Sequence, residues 1–339
     1  MTDGAGARRR RARAASVQSL AVAVALFVAP GCRRSDEERR GPSAAPTSAI
    51  ASMPPARDGG ASGSPPAGPA AADGETADLT CAGVRCRSYT SSADAFRRVL
   101  ARDPRVLAIG EAHALRGTEK VEPTARRFTR DLLPLLRGRA SDLVVELLLP
   151  NARCEPATRA ARKEQKVVTD TQAPTDQNDY VALGNAARSL GILPHALEPS
   201  CDDLARIGTA GRDAIATSLD VVTRLSSELL GRLADRNAAT KDPRMVVAYG
   251  GAMHNDVAPA PGRAAWSFGP ALGARTGGRY VELDLIVPEF IADTPAWNGL
   301  PWLPAYRAAP RDDVVTLLTL SDASYVIVFA RKADGTSRR

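Results

Sequence analysis

The chain reads as an α/β protein with a mainly parallel central sheet and helices on both faces. Two observations carry that expectation. Helical and strand-like segments alternate through four successive units between residues 92 and 249. Their strand-like segments are continuous apolar runs rather than alternating ones, as expected for strands covered on both faces. The best of them, Arg105–His113 (RVLAIGEAH), breaks at Gly110 and delivers a carboxylate and an imidazole. Met245–His254 (MVVAYGGAMH) repeats its form.

The elements follow in order. Ser92–Ala101 is expected to be helical, with Ala93, Phe96, Val99 and Leu100 at helical spacing. Asp103-Pro104 ends it and the first core strand is Arg105–Ile109. A helix is expected from about Glu119 to Arg137, kinked or broken at Pro134. The second strand is Asp142–Leu149. Residues 151–175 are polar and read as an irregular insertion or lid. Asp176–Leu190 is helical and capped by Gly191, and Ile192–Leu197 is the third strand. Ala210–Asn237 is a long helix with Ile215, Leu219, Val222, Leu225, Leu229 and Leu233 as its buried stripe. Arg244–Tyr249 is the fourth strand. A short helix (Ala264–Ala274), a strand (Arg279–Val287), a Pro/Trp-rich loop (288–310) and a last strand (Tyr325–Ala330) complete the fold.

The N-terminal quarter is expected to stand apart. Residues 8–13 carry five arginines and Val17–Pro30 is almost uninterruptedly apolar, the pattern of a secretory signal rather than a membrane span. Residues 1–31 are therefore read as a signal peptide of the lipoprotein type, with Cys32 as acyl acceptor. That gives a membrane-anchored, cell-envelope protein. Plain secretion is the alternative, since Pro30 is atypical before such a cysteine. Residues 32–78, dense in Pro, Gly, Ala and Ser, cannot bury enough surface to offset ordering entropy and read as a tether. The folded domain is 79–333, and 334–339 is a tail.

Net charge argues against nucleic acid. Residues 1–40 hold nine arginines against four acids, so most of the formal +7 sits there and the domain is nearly neutral. Four cysteines follow Cys32, an even number that favours disulfides in an exported chain. Cys81–Cys86 and Cys154–Cys201 is the expected pairing. A structural zinc site is the rival.

Polar residues collect at the carboxyl ends of the expected strands, where parallel sheets bind ligands. Glu111 and His113 follow the first strand, Glu146 interrupts the second, His195 lies on the third, and His254 follows the fourth. Two of the chain's three histidines occupy the same Gly-x-x-His position, Gly110–His113 and Gly251–His254. Gly110, Gly250 and Gly251 are expected to let backbone approach a cofactor or ligand, with His195 as a further cofactor-binding candidate. Each residue also has a plainer reading, Glu146 as a paired core carboxylate and His195 as a structural imidazole. No Gly-x-Ser-x-Gly occurs, and neither cysteine pair has an adjacent histidine, which disfavours a covalent nucleophile.

Gly-Glu-x-His after a strand, a strand-borne glutamate and a late Gly-x-x-His resemble the superfamily of TraB, Tiki, ChaN-type haem-binding lipoproteins and erythromycin esterases. Asp235–Ala239 (DRNAA) is similar to the arginine-bearing helix end that precedes the second histidine motif there. The likeness spans about Val106–Val257 and sits closest to the ChaN-like branch. It implies a ChaN- or erythromycin-esterase-like fold and three chemistries: metal-dependent proteolysis, hydrolysis with histidine as general base, and haem binding. Two imidazoles and a carboxylate suit the first two. The expected centre is therefore a metal-assisted hydrolase site. His113 and His254 are ligands or bases, Glu111 and Glu146 a ligand and an acid/base, and Arg236 stabilises an anionic intermediate or orients a carboxylate. Haem or iron uptake without catalysis is the alternative, with Tyr180, Tyr249, His195 or the other histidines as axial ligands. A metal-independent esterase is another, and a degenerate scaffold that only holds a partner a third. A small molecule or peptide is the expected substrate, and a homodimer stays open.

Overall fold

Alternate residues of the run Val106–Glu111 pack on opposite sides of a sheet. Leu107 and Ile109 enter one apolar cluster, Val106 and Ala108 another, and all are fully buried. This is the two-sided burial that continuous apolar strands imply. The structure, a computed structural model, describes residues 79–308 and 312–331, and in the first 78 residues only the pairing of Ala25–Leu26 with Leu147–Leu148. The rest of the expected signal peptide, Cys32, the tether and the tail lie outside the described residues.

Nine strands run from Leu79 onward: β1 (Leu79–Cys81), β2 (Val84–Tyr89), β3 (Val106–Glu111), β4 (Ala140–Leu148), β5 (Leu193–Leu197), β6 (Met245–Gly251), β7 (Tyr280–Ile286), β8 (Val315–Thr319) and β9 (Ser324–Val328). Their order across the sheet is β5-β4-β6-β3-β7-β9-β8-β2-β1. The pairings from β5 to β9 are parallel, and β9-β8-β2-β1 form an antiparallel extension. The chain goes from β3 outward to β4 and β5, returns to β6 beside β3, then crosses to β7 on the other side. Chain direction across the sheet therefore reverses at β3, where an open parallel sheet forms its ligand crevice.

On the Leu107/Ile109 face lie α1 (Ser92–Leu100), α4 (Asp176–Ser189), and α2 (Thr124–Arg127) with its continuation. On the other face lie α3 (Glu155–Thr169), α5 (Cys201–Thr209), α6 (Ala214–Ala238) and α7 (Gly269–Arg275). A third apolar cluster, centred on Trp302, Leu303, Leu318 and Val326, covers the antiparallel end with α9 (Leu303–Ala308). α8 (Pro295–Asn298) precedes it. Ser91 caps α1 through its side chain, and Ser200 and Asp203 form a reciprocal capping box on α5. Both expected disulfides, Cys81–Cys86 and Cys154–Cys201, are present.

Four expectations are corrected. The helix after His113 starts at Thr124, not Glu119, because Pro123 is its N-cap. It then changes to a π turn (Phe128–Leu132) and a 3-10 turn (Leu133–Leu136) around Pro134, whose missing N–H breaks the ladder. Residues 151–175 are not an irregular lid: most of them form α3, whose buried positions Thr158, Ala161, Gln165 and Val168 are too small or polar to show an apolar stripe. α5 precedes α6, and α6 starts at Ala214. Finally, β1, β2 and β8 were not anticipated, and residues 288–310 contain α8 and α9.

Candidate functional site

Strand parity decides which side chains meet. Glu111 shares the face of Leu107 and Ile109, and so looks toward α4. Glu146 shares the face of Val144 and Leu148, toward α6. The expected centre is thus assembled from both sides of the sheet, and the two sides meet at its rim, at Gly251.

On the α4 side, Glu111 is 3% exposed. Its Oε1 accepts from the Tyr180 hydroxyl at 3.0 Å and lies 3.0 Å from His113 Nδ1; its Oε2 accepts from the Tyr249 hydroxyl. Asp176, the first residue of α4, brings Oδ2 to 3.5 Å from the same His113 nitrogen. Glu111, His113 and Asp176 each offer a ligand atom, all within 4.8 Å of one another, and so form a buried group that can hold a metal ion. Burial pushes the Glu111 carboxyl up, only partly offset by His113. Burial alone would lower the His113 pKa, but hydrogen bonds to Asp176 and Glu111 overcome it and hold the imidazole well above its usual value. Burial also raises both phenols, Tyr180 and Tyr249, so they remain donors.

On the α6 side, Glu146 Oε2 accepts from the Gly251 N–H at 2.7 Å. His254 Nδ1 lies 2.8 Å from the Trp266 carbonyl and 2.9 Å from Thr223 Oγ1. A carbonyl only accepts, so Nδ1 carries the proton and a neutral His254 has its lone pair on Nε2. That Nε2 is 3.7 Å from Glu146 Oε1. His113 Nε2, His254 Nε2 and Glu146 Oε1 are all buried without a hydrogen-bond partner. Glu146 and His254 stand outside the 4.8 Å group, yet the two sides touch: a Cβ added to Gly251 would lie 3.0 Å from His113 Nε2 and 3.6 Å from Glu146 Oε2.

The glycines make room for neighbouring side chains. A Cβ at Gly250 would collide with the Glu146 carboxylate, and one at Gly110 would come within 2.5 Å of Asp284 Oδ1. Asp284 lies near the end of β7, two residues after Glu282, and Asn255 donates to it at 3.0 Å. Burial is the main cause raising all three nearby carboxyls: Asp284 well above its usual value, Glu282 to about 7 and Asp256 to about 6.

Arg236 and His195 are not brought to this centre. Both bind Asp142, Arg236 through Nη2 and His195 through Nε2, each at 2.7 Å, and Asn237 adds a third donor at 3.0 Å. Asp142 precedes Glu146 by four residues, roughly 13 Å along an extended strand. Arg236 sits there because the end of α6 packs near the start of β4, not its carboxyl end. Burial opposes charge on Asp142, but the Ser141 hydroxyl together with these donors outweighs it and holds the carboxyl below its usual value. His195 instead lines a separate groove of about 730 Å³ with Glu198 and Arg188.

A cleft of about 370 Å³ opens onto Glu111 and His113, with Gly251, Asp256, Arg263 and Asp284 around them. Asp176, Glu146 and His254 do not line it; they stand behind its surface. Sequence reasoning missed Asp176, which resembles any acidic first residue of a helix. It also missed the phenols as partners of Glu111, although Tyr249 shares strand parity with Met245 and Val247. No protein family, curated protein or solved structure matches this chain.

Proposed function

We propose that the cleft is a metal-assisted hydrolase centre in an exported, lipid-anchored protein related to the Tiki, ChaN and erythromycin esterase superfamily. The observation that carries the reading is the buried Glu111–His113–Asp176 group at the foot of an open cleft. One imidazole and two carboxylates suit a divalent ion with coordination positions left for water and substrate. Such an ion lowers the pKa of its water and polarises a carbonyl.

The chain's own residues have separable parts. Tyr180 and Tyr249 fix both oxygens of Glu111, and Asp176 fixes His113. Thr223 and the Trp266 carbonyl orient His254, whose free Nε2 adjoins the free oxygen of Glu146. A buried acceptor without a partner costs about 1–3 kcal/mol. Two such atoms 3.7 Å apart suit a pair that passes a proton to and from the centre past Gly251. The disulfides fit an oxidising compartment, which supports export.

One observation favours a second reading. His113, once deprotonated at Nε2 and with Nδ1 on Glu111, also has the arrangement of a metal-independent general base. Hydrolysis of an ester and peptide panel, with and without chelator, separates the two. Activity lost with chelator and restored by a divalent ion is expected. Activity indifferent to chelator supports the base mechanism, and a Soret band on haemin addition without hydrolysis supports haem binding.

A further inference from the structure

The cleft carries polar groups, but most of its lining is apolar. The apolar wall comes mainly from the end of β7 and the segment after it: Ile286, Phe290, Trp297, Leu300 and Trp302. Trp297 packs edge-on against Trp302, ring centroids 6.2 Å apart, and remains partly exposed while Trp302 is buried. A volume of about 370 Å³ lies near the small end of the range of about 300–1,000 Å³ that small-molecule sites span. Among the described residues that line it, Arg263 is the only guanidinium, and its side chain has no carboxylate within ion-pair reach. Asp256 acts on it only at longer range.

We infer that the substrate is a small amphipathic carboxylate: an N-acylated, large apolar amino acid, as at the C-terminus of a peptide. Its side chain lies on the Trp297–Trp302 wall, its carboxylate meets Arg263, and its amide carbonyl faces Glu111 and His113. This specificity rests on the hydrolase reading and extends it. Water adds its oxygen to the amide carbon, the C–N bond breaks, and the nitrogen leaves with a proton. The products are a carboxylic acid and a free apolar amino acid. Of the other acids that line the cleft, Glu111 is engaged by two phenols and His113, Asp284 by Asn255, and burial raises the Asp256 carboxyl to about 6.

Two of the chain's three tryptophans line the cleft, so intrinsic fluorescence reports occupancy directly. The full chain is titrated with N-acetylphenylalanine, N-acetylphenylalaninamide and N-acetylglycine. The acid should give a saturable change. The amide and the glycine analogue should each bind at least about tenfold more weakly, a factor equivalent to about 1.4 kcal/mol. Arg263→Gln should abolish the preference for acid over amide without moving the unfolding midpoint. No saturable response to the acid, equal binding of all three, or an undiminished preference in Arg263→Gln overturns the inference. Asp176→Asn, away from the cleft surface, separates it from the hydrolase reading. Binding that persists while no substrate is cleaved even by wild type sinks the hydrolase alone. Chelator-sensitive hydrolysis of other esters without binding of the acid sinks the substrate class alone.

Discussion

At the scale of single residues, the site is a matter of parity and space. Glu111 is held by a phenol on each oxygen and an imidazole on one. Tyr249→Phe removes one donor from a buried charged acceptor, a loss of about 1.5–3 kcal/mol. Denaturant unfolding should show that loss, together with a fall in hydrolysis. Gly250→Ala places a methyl group against Glu146. Overpacking of this kind costs about 1–3 kcal/mol, and unfolding of the variant should fall in that range; unchanged stability would mean that Glu146 does not occupy this space. Glu111, His113, Glu146 and His254 were legible from their positions at strand ends. Their division between the two faces was written in the same strands, since Glu111 is in step with Leu107 and Ile109 while Glu146 is in step with Val144 and Leu148. Arg236 misled because its motif lies just before β6 in sequence, whereas the end of α6 packs beside Asp142 at the start of β4.

At the scale of elements, α3 is the instructive case. Its buried side is made of Thr158, Ala161, Gln165 and Val168, and Gln165 donates to Ser218 of α6 rather than packing apolar atoms. Large apolar residues at helical spacing, the signal that disclosed α1 and α6, are lacking from its buried side. The Cys154–Cys201 bridge ties the start of α3 to the start of α5 across a separation of 47 residues. In the chain-entropy treatment a loop of that length contributes about 4 kcal/mol. Replacing both cysteines by alanine should lower stability by about 2–4 kcal/mol. Because Val168 and the residues just after α3 reach the cleft wall, substrate affinity should fall with it. A double variant as stable as wild type in non-reducing buffer would show that the bridge contributes nothing to the fold.

At the scale of the whole molecule, the α/β class and the six parallel strands of the core were legible because two-sided burial leaves long apolar runs. β1, β2 and β8 were not. They form the antiparallel end of the sheet, and β2 has mostly half-buried, mixed side chains. The same depth of burial gives the molecule a pH signature through Glu282 and Asp256, raised to about 7 and about 6. Below about pH 3 both groups are protonated folded and unfolded. As pH rises toward 7 the unfolded chain ionises first, so stability falls across that window and levels off above it. Glu282→Gln should flatten the profile, gaining on wild type by on the order of 2–3 kcal/mol at pH 8 relative to pH 4. Parallel profiles for the two proteins would rule out Glu282 as the source.

The proposed role of Glu111, His113 and Asp176 is to hold a metal ion at the rim where the two faces of the sheet meet. Equilibrium dialysis against zinc, followed by metal analysis of the protein, tests it without any knowledge of substrate. Wild type should retain about one equivalent, and His113→Ala and Asp176→Asn should each retain little, while both stay folded by circular dichroism. Equal retention by all three proteins, or none by wild type, would contradict it.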